Sequence, residues 1–158
     1  PAHCRTMPGF SRLYKFLSLG PRRQGLLLQA WCLLGVTRLQ LSRRGFTHFT
    51  AGLERASGAA PAPQASVEQR ALASELGRLV GIAARYTPWE SKCLTQVLVL
   101  QRLLRRRNIP GAFCLGVRRR DSVGIDAHAW LYCDAAVVNG ASEDLPFAAL
   151  STFSWGAR

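Results

Sequence analysis

At Asn108-Ile109-Pro110-Gly111 the chain changes its hydrophobic period. Before this turn cluster apolar residues recur every three or four positions, and after it they come in short β-like runs. A stripe with helical period does not sit on one face of a strand, so the two parts must form different elements. Leu27, Ala30, Trp31, Leu34 and Leu41 predict a helix within residues 26–41, preceded by Pro21 and Arg22-Arg23. Leu72, Leu76, Leu79, Val80 and Ile82 predict a second over residues 67–86. Thr87-Pro88-Trp89-Glu90 reads as an S/T-x-x-E capping box with proline at the first helical position, opening a third helix that runs through Leu104. Residues 112–117, 125–133 and 135–139 predict strands. Helices first and an antiparallel sheet after give an α+β fold.

Gly58-Ala59-Ala60-Pro61-Ala62-Pro63-Gln64-Ala65-Ser66 has a linker's small and proline-rich composition. It divides the chain into an N-terminal helical segment with linker, 1–66, and a core, 67–158. Met7, followed by Pro8-Gly9-Phe10, reads as an opening, and residues 1–6 as upstream sequence. The first helix is interrupted by Gln29, Thr37 and Arg38 and falls short of the roughly 20 apolar residues a membrane span needs. No export signal opens the chain. Five widely spaced cysteines without a C-x-x-C pair suit neither a disulfide framework nor a zinc site, and point to a reducing, cytoplasmic compartment.

The formal charge of +12 is carried almost wholly by arginine, Lys15 and Lys92 being the exceptions. Such a balance attracts nucleic acid, an anionic membrane surface or an acidic peptide. The arginines are scattered, however, except for Arg105-Arg106-Arg107 and Arg118-Arg119-Arg120. Neither run is interleaved with aromatics as a single-strand-binding face would be, so both read as solvated ends of elements. Nucleic acid is not expected as a partner, and membrane-surface contact is a minor reading. A basic RNA- or lipid-binding protein is the rival class.

Chemistry centres on Cys93. A thiol attacks as its thiolate, and the unpaired amides of a helix N-terminus favour that form and can also donate to an oxyanion. Cys32, Cys114 and Cys133 read instead as small buried hydrophobes. A base must come from elsewhere: His48 lies in an unpatterned segment, whereas His128 lies mid-strand on one face with Trp130 and Tyr132. A hairpin turning at Asp134-Ala135 would put Asn139 opposite Trp130 and diagonal to His128, within reach to orient the imidazole. Asp134 reads as a turn residue. Asp134, Glu143 and Asp144 are the alternatives to Asn139, since a bulge would shift the register.

The strings Tyr86-Thr87-Pro88-Trp89-Glu90-Ser91-Lys92-Cys93-Leu94, Leu103-Leu104-Arg105-Arg106-Arg107-Asn108-Ile109, Gly116-Val117 and Ala127-His128-Ala129-Trp130 resemble the lasso-peptide B-protein leader peptidases. These are cysteine peptidases of the transglutaminase-like, papain-related superfamily. The resemblance implies a nucleophile helix packed on a small antiparallel sheet, with Cys93 and His128 catalytic. It implies removal of the leader from a ribosomally made precursor peptide before a separate ATP-dependent cyclase closes the ring, with no metal or organic cofactor. The family's acidic third residue is matched here by the stretch Val137-Val138-Asn139-Gly140, which leaves a Cys–His–Asn arrangement or a dyad. The helical pattern before Arg70 implies that leader recognition belongs to a separate partner protein. Another transglutaminase-like acyl transferase or peptidase is the alternative within this chemistry.

Overall fold

The computed structural model describes residues 17–120, 124–140 and 147–157. In chain order the elements are α1 (Pro21–Arg44), α2 (Thr47–Thr50), β1 (Glu54–Ser57), α3 (Val67–Arg85), α4 (Cys93–Arg105), β2 (Gly111–Arg120), β3 (Gly124–Cys133), β4 (Ala136–Asn139) and β5 (Ala148–Trp155). The helices-then-sheet order of an α+β fold is present, with β1 as a strand inside the N-terminal part.

Each helix has a local reason to begin and end where it does. Pro21 starts α1, and Gly45 at φ 73° ends it beside Arg43 and Arg44, whose charges suit a helix C-terminus. The interruptions at Thr37 and Arg38 do not break it, because Thr37 is buried and Arg38 donates to the carbonyl of Glu90. Ser66 and Gln69 form a reciprocal capping box on α3: Gln69 N–H donates to Ser66 Oγ at 3.2 Å, and Ser66 N–H to Gln69 Oε1 at 2.9 Å. The box expected at Thr87-Pro88-Trp89-Glu90 does not form. Thr87 Oγ1 lies 2.9 Å from the carbonyl of Ala84, 2.7 Å from that of Trp89 and 3.0 Å from Ser91 Oγ, so it ties a loop instead of capping a helix. The third helix therefore starts at Cys93, six residues after Thr87.

The sheet runs β1-β5-β2-β3-β4, antiparallel throughout. β1 and β5 carry no clear apolar alternation, in keeping with their absence from the sequence reading. One side of the sheet takes the helices. Leu27 and Leu34 of α1, Leu76 and Leu79 of α3, and Val97, Leu98, Leu100 and Leu104 of α4 form one buried cluster with Phe113, Leu131 and Phe153. Gly77 brings α3 hard against β4, where a Cβ would sit 1.9 Å from the carbonyl oxygen of Val138. Residues on both sides of the 58–66 linker share this core, and β1 is paired along its length with β5, Glu54 opposite Ser154.

The linker and Cys114, Tyr132 and Thr152 of the sheet line one cleft of about 290 Å³. Ala60 N–H donates to Thr152 Oγ1 at 3.3 Å, and that hydroxyl donates to Gly58 O at 2.7 Å. Among the described residues no helix is long and apolar enough to cross a membrane.

Candidate active site

Cys93 is the first residue of α4, and its thiol is half-buried at the edge of the core. Lys92 at the N-cap offers no side-chain cap, and no acidic residue occupies the first turn. The first ladder bond runs from Gln96 N–H to Lys92 O at 3.2 Å. The amides of Cys93, Leu94 and Thr95 therefore have no helical acceptor, an arrangement that favours an anion at this point.

The loop carrying Cys93 is held from α1. Trp89 packs against Trp31, with ring centroids 5.4 Å apart, and lies so close to Gly35 that a Cβ there would come within 2.9 Å of the indole. Trp31 Nε1 donates to Tyr86 O at 3.2 Å, Arg38 donates to Glu90 O, and Gln96 Nε2 donates back to Ser91 O at 2.9 Å. The N-terminal segment thus positions the candidate nucleophile.

His128 is fixed on three sides. Its Nε2 lies 2.8 Å from the carbonyl oxygen of Gly140. A carbonyl can only accept, so Nε2 carries the proton and the neutral ring keeps its lone pair on Nδ1. The imidazole stacks on Phe147 at 4.9 Å and on Trp130 at 6.0 Å. Arg118 covers the same Phe147 ring at 4.9 Å while its NH2 group pairs with Asp126 at 3.1 Å, so Arg118 is part of the wall around the histidine and not a solvated end.

The register that selected Asn139 is corrected by a bulge. Tyr132 pairs with Val137 as expected, but the register then shifts and Leu131 pairs with Asn139. Cross-strand partners share a face. Asn139 thus sides with Leu131, and Gly140 takes the place beside Trp130, where a Cβ would lie 3.0 Å from Trp130 Cα. A backbone carbonyl, not the Asn139 side chain, holds the ring. No side-chain motif signals such an acceptor; Gly140 at φ 76°, ending a strand, is its one trace in the sequence.

Asp134 sits at the hairpin turn with φ 56° and forms an ion pair with Arg70, as a turn residue. Glu143 and Asp144 lie outside the described residues. His48 lies on α2 against Phe49, by the last turns of α4 and far along the helix from Cys93. Cys32 is exposed, contrary to its reading as a buried hydrophobe, because α1 turns that side away from the core. Cys114 and Cys133 are buried, and burial pushes both thiols up. The charge of Asp134 adds to the rise at Cys133, while a Thr152 hydrogen bond opposes it at Cys114. Their protonated state makes them poor nucleophiles at neutral pH.

Cys93 and His128 stand on elements in contact, α4 and β3. β3 alternates, with Ala129, Leu131 and Cys133 in the core and His128, Trp130 and Tyr132 half-buried between them. No hydrogen bond joins Sγ to the imidazole among the described residues.

No curated protein and no solved structure matches the chain. A family model does, that of the transglutaminase-like superfamily, over residues 31–152. Its span begins at Trp31, which braces the Cys93 loop, takes in Cys93, His128 and Gly140, and ends within β5. Well over half of the sequence lies inside that match, and the chain belongs to the transglutaminase-like superfamily.

Proposed function

We propose that this chain is a cysteine peptidase that removes the leader from a ribosomally made lasso-peptide precursor. The reading rests on a helix-start cysteine, free of competing caps, on a helix in contact with the strand that carries an imidazole whose Nε2 faces Gly140 O. The motif strings around Cys93 and His128 support the narrower substrate class.

The Cys93 thiol gives its proton to Nδ1 of His128, the thiolate attacks the carbonyl carbon of the scissile peptide bond, and the resulting oxyanion is met by first-turn amides of α4. As the C–N bond breaks, the proton on Nδ1 of His128 passes to the leaving amine of the core peptide. Water then gives its proton to Nδ1 and attacks the thioester, which releases the leader carboxylate and restores the thiol. Gly140 O keeps the ring oriented and stabilises the imidazolium that forms between the steps.

Leader recognition falls to a separate partner protein, which raises the effective concentration of the scissile bond, and ring closure falls to a separate ATP-dependent cyclase. The reaction takes place in the cytoplasm.

The test is mass spectrometry of precursor peptide incubated with the chain and its partner, with circular dichroism on the same samples. Cys93→Ala should keep the fold and lose all cleavage. Cleavage by folded Cys93→Ala would overturn the proposal. Addition of a primary amine separates the second reading: incorporation of the amine in place of water would mark an acyl transferase.

A further inference from the structure

A cleft of about 570 Å³ lies at the far end of α4 from Cys93. That is well within the range of ligand sites. α4 spans 13 residues, about 20 Å, so the cleft is separate from the chemistry at its N-terminus. Arg102, Arg105 and Arg106 form one wall, Glu54 and His48 stand on others, and the buried rings of Phe49 and Trp155 also line it.

The arginines are not used up by the fold. The last carbonyls of α4 are taken by backbone amides, Arg106 N–H to Arg102 O, Arg107 N–H to Leu104 O and Asn108 N–H to Arg105 O. Arg107 is a structural arginine, donating to Leu103 O at 3.0 Å. Arg102 reaches only Gln40, at 3.1 Å, and among the described residues neither Arg105 nor Arg106 forms an ion pair or a side-chain hydrogen bond. Two guanidinium groups without a partner among the described residues, with Arg102 beside them and an apolar floor below, form a site for carboxylates.

We propose that this cleft binds an acidic peptide segment. The mixed lining selects a peptide over a nucleic acid. Glu54 would repel a continuous phosphate backbone, whereas a peptide can set its carboxylates on the arginines and an N–H on Glu54. β1, the edge strand of the sheet, supplies Glu54 and among the described residues is paired on one side only, so an extended chain can lie beside it. A segment that reached from here to Cys93 would need at least about six extended residues, so a peptide bound in the cleft lies well away from the chemistry at Cys93. The inference holds whether or not Cys93 cleaves a leader.

The test uses the full chain and a fluorescent peptide of about twelve residues, long enough to cross the cleft, carrying neighbouring Glu and Asp, beside its Gln/Asn twin. Anisotropy should show the acidic peptide binding at least about tenfold more tightly than the twin, with affinity falling as salt rises. Arg105→Gln/Arg106→Gln should weaken it about tenfold, while Arg43→Gln/Arg44→Gln, which removes equal charge from the exposed end of α1, and Cys93→Ala leave it unchanged. Should the cleft variant fail to fold, phenylglyoxal labelling of the unaltered chain serves, with the acidic peptide protecting Arg105 and Arg106. Equal binding of the twin, equal loss from the α1 variant, or absence of protection would overturn the proposal. So would an oligonucleotide that binds more tightly through the same arginines.

Discussion

Gly140 concentrates what a single residue can contribute here. A side chain at that position meets Ala129 O at 2.4 Å and requires a left-handed backbone, so only glycine brings its own carbonyl against His128. Gly140→Ala should cost about 2–3 kcal/mol of stability. If the carbonyl sets the tautomer, the acylation rate should fall as well; calorimetry and single-turnover rates read the two effects apart. Asn139→Ala should leave the acylation rate nearly unchanged, because the bulge pairs Asn139 with Leu131. The thiols make a second prediction. Cys32 should alkylate readily in the native protein, whereas Cys114 and Cys133 resist until it unfolds. Both buried thiols are raised in the folded state, so at neutral pH folded and unfolded chains hold the proton alike. As pH climbs past the ordinary thiol value, about 8.5, the unfolded chain releases it first and stability falls until the folded values are passed. Thermal melts from pH 7 to 10 should show that slope, reduced in Cys114→Ala/Cys133→Ala.

At the scale of the elements, the helical stripes in 26–41 and 67–86 were legible because burial on one face imposes a 3.6-residue period whatever the partner. The start of α4 was not. Thr87-Pro88-Trp89-Glu90 satisfies a local helix-start rule, yet burial of Trp89 against Trp31 and Gly35 keeps residues 87–92 out of the helix. Tertiary packing outweighed a cap worth about 1 kcal/mol. The same kind of contact separates two glycines of α3. Gly77→Ala should lower the melting temperature sharply, since its Cβ would overlap the Val138 carbonyl. Gly81→Ala, with nothing within 4 Å, should stabilise the helix by up to about 1 kcal/mol. Circular dichroism melts of the two variants check both signs. Were Gly77→Ala neutral, α3 would not approach β4 as closely as it does here.

For the whole molecule, the proline-rich stretch 58–66 is a linker by composition but a bound strap by contact, hydrogen-bonded to Thr152 of β5. Because Leu27, Leu34 and Phe49 complete the core and β1 extends the sheet, a fragment of residues 67–158 should lack a cooperative melt and recover it when 17–66 is supplied. A fragment that melts like the full chain would show the helical segment to be an appendage. The sequence alone determined the α+β order, the candidate cysteine and histidine and the main helices, because period, composition and residue chemistry are local properties of the chain. Folding in three dimensions decided that α4 begins at the cysteine itself, that β1 and β5 complete the sheet, and that Gly140 O rather than Asn139 meets the imidazole. Those outcomes depend on contacts between residues far apart in sequence, and on a one-residue bulge that turns every side chain after it to the other face.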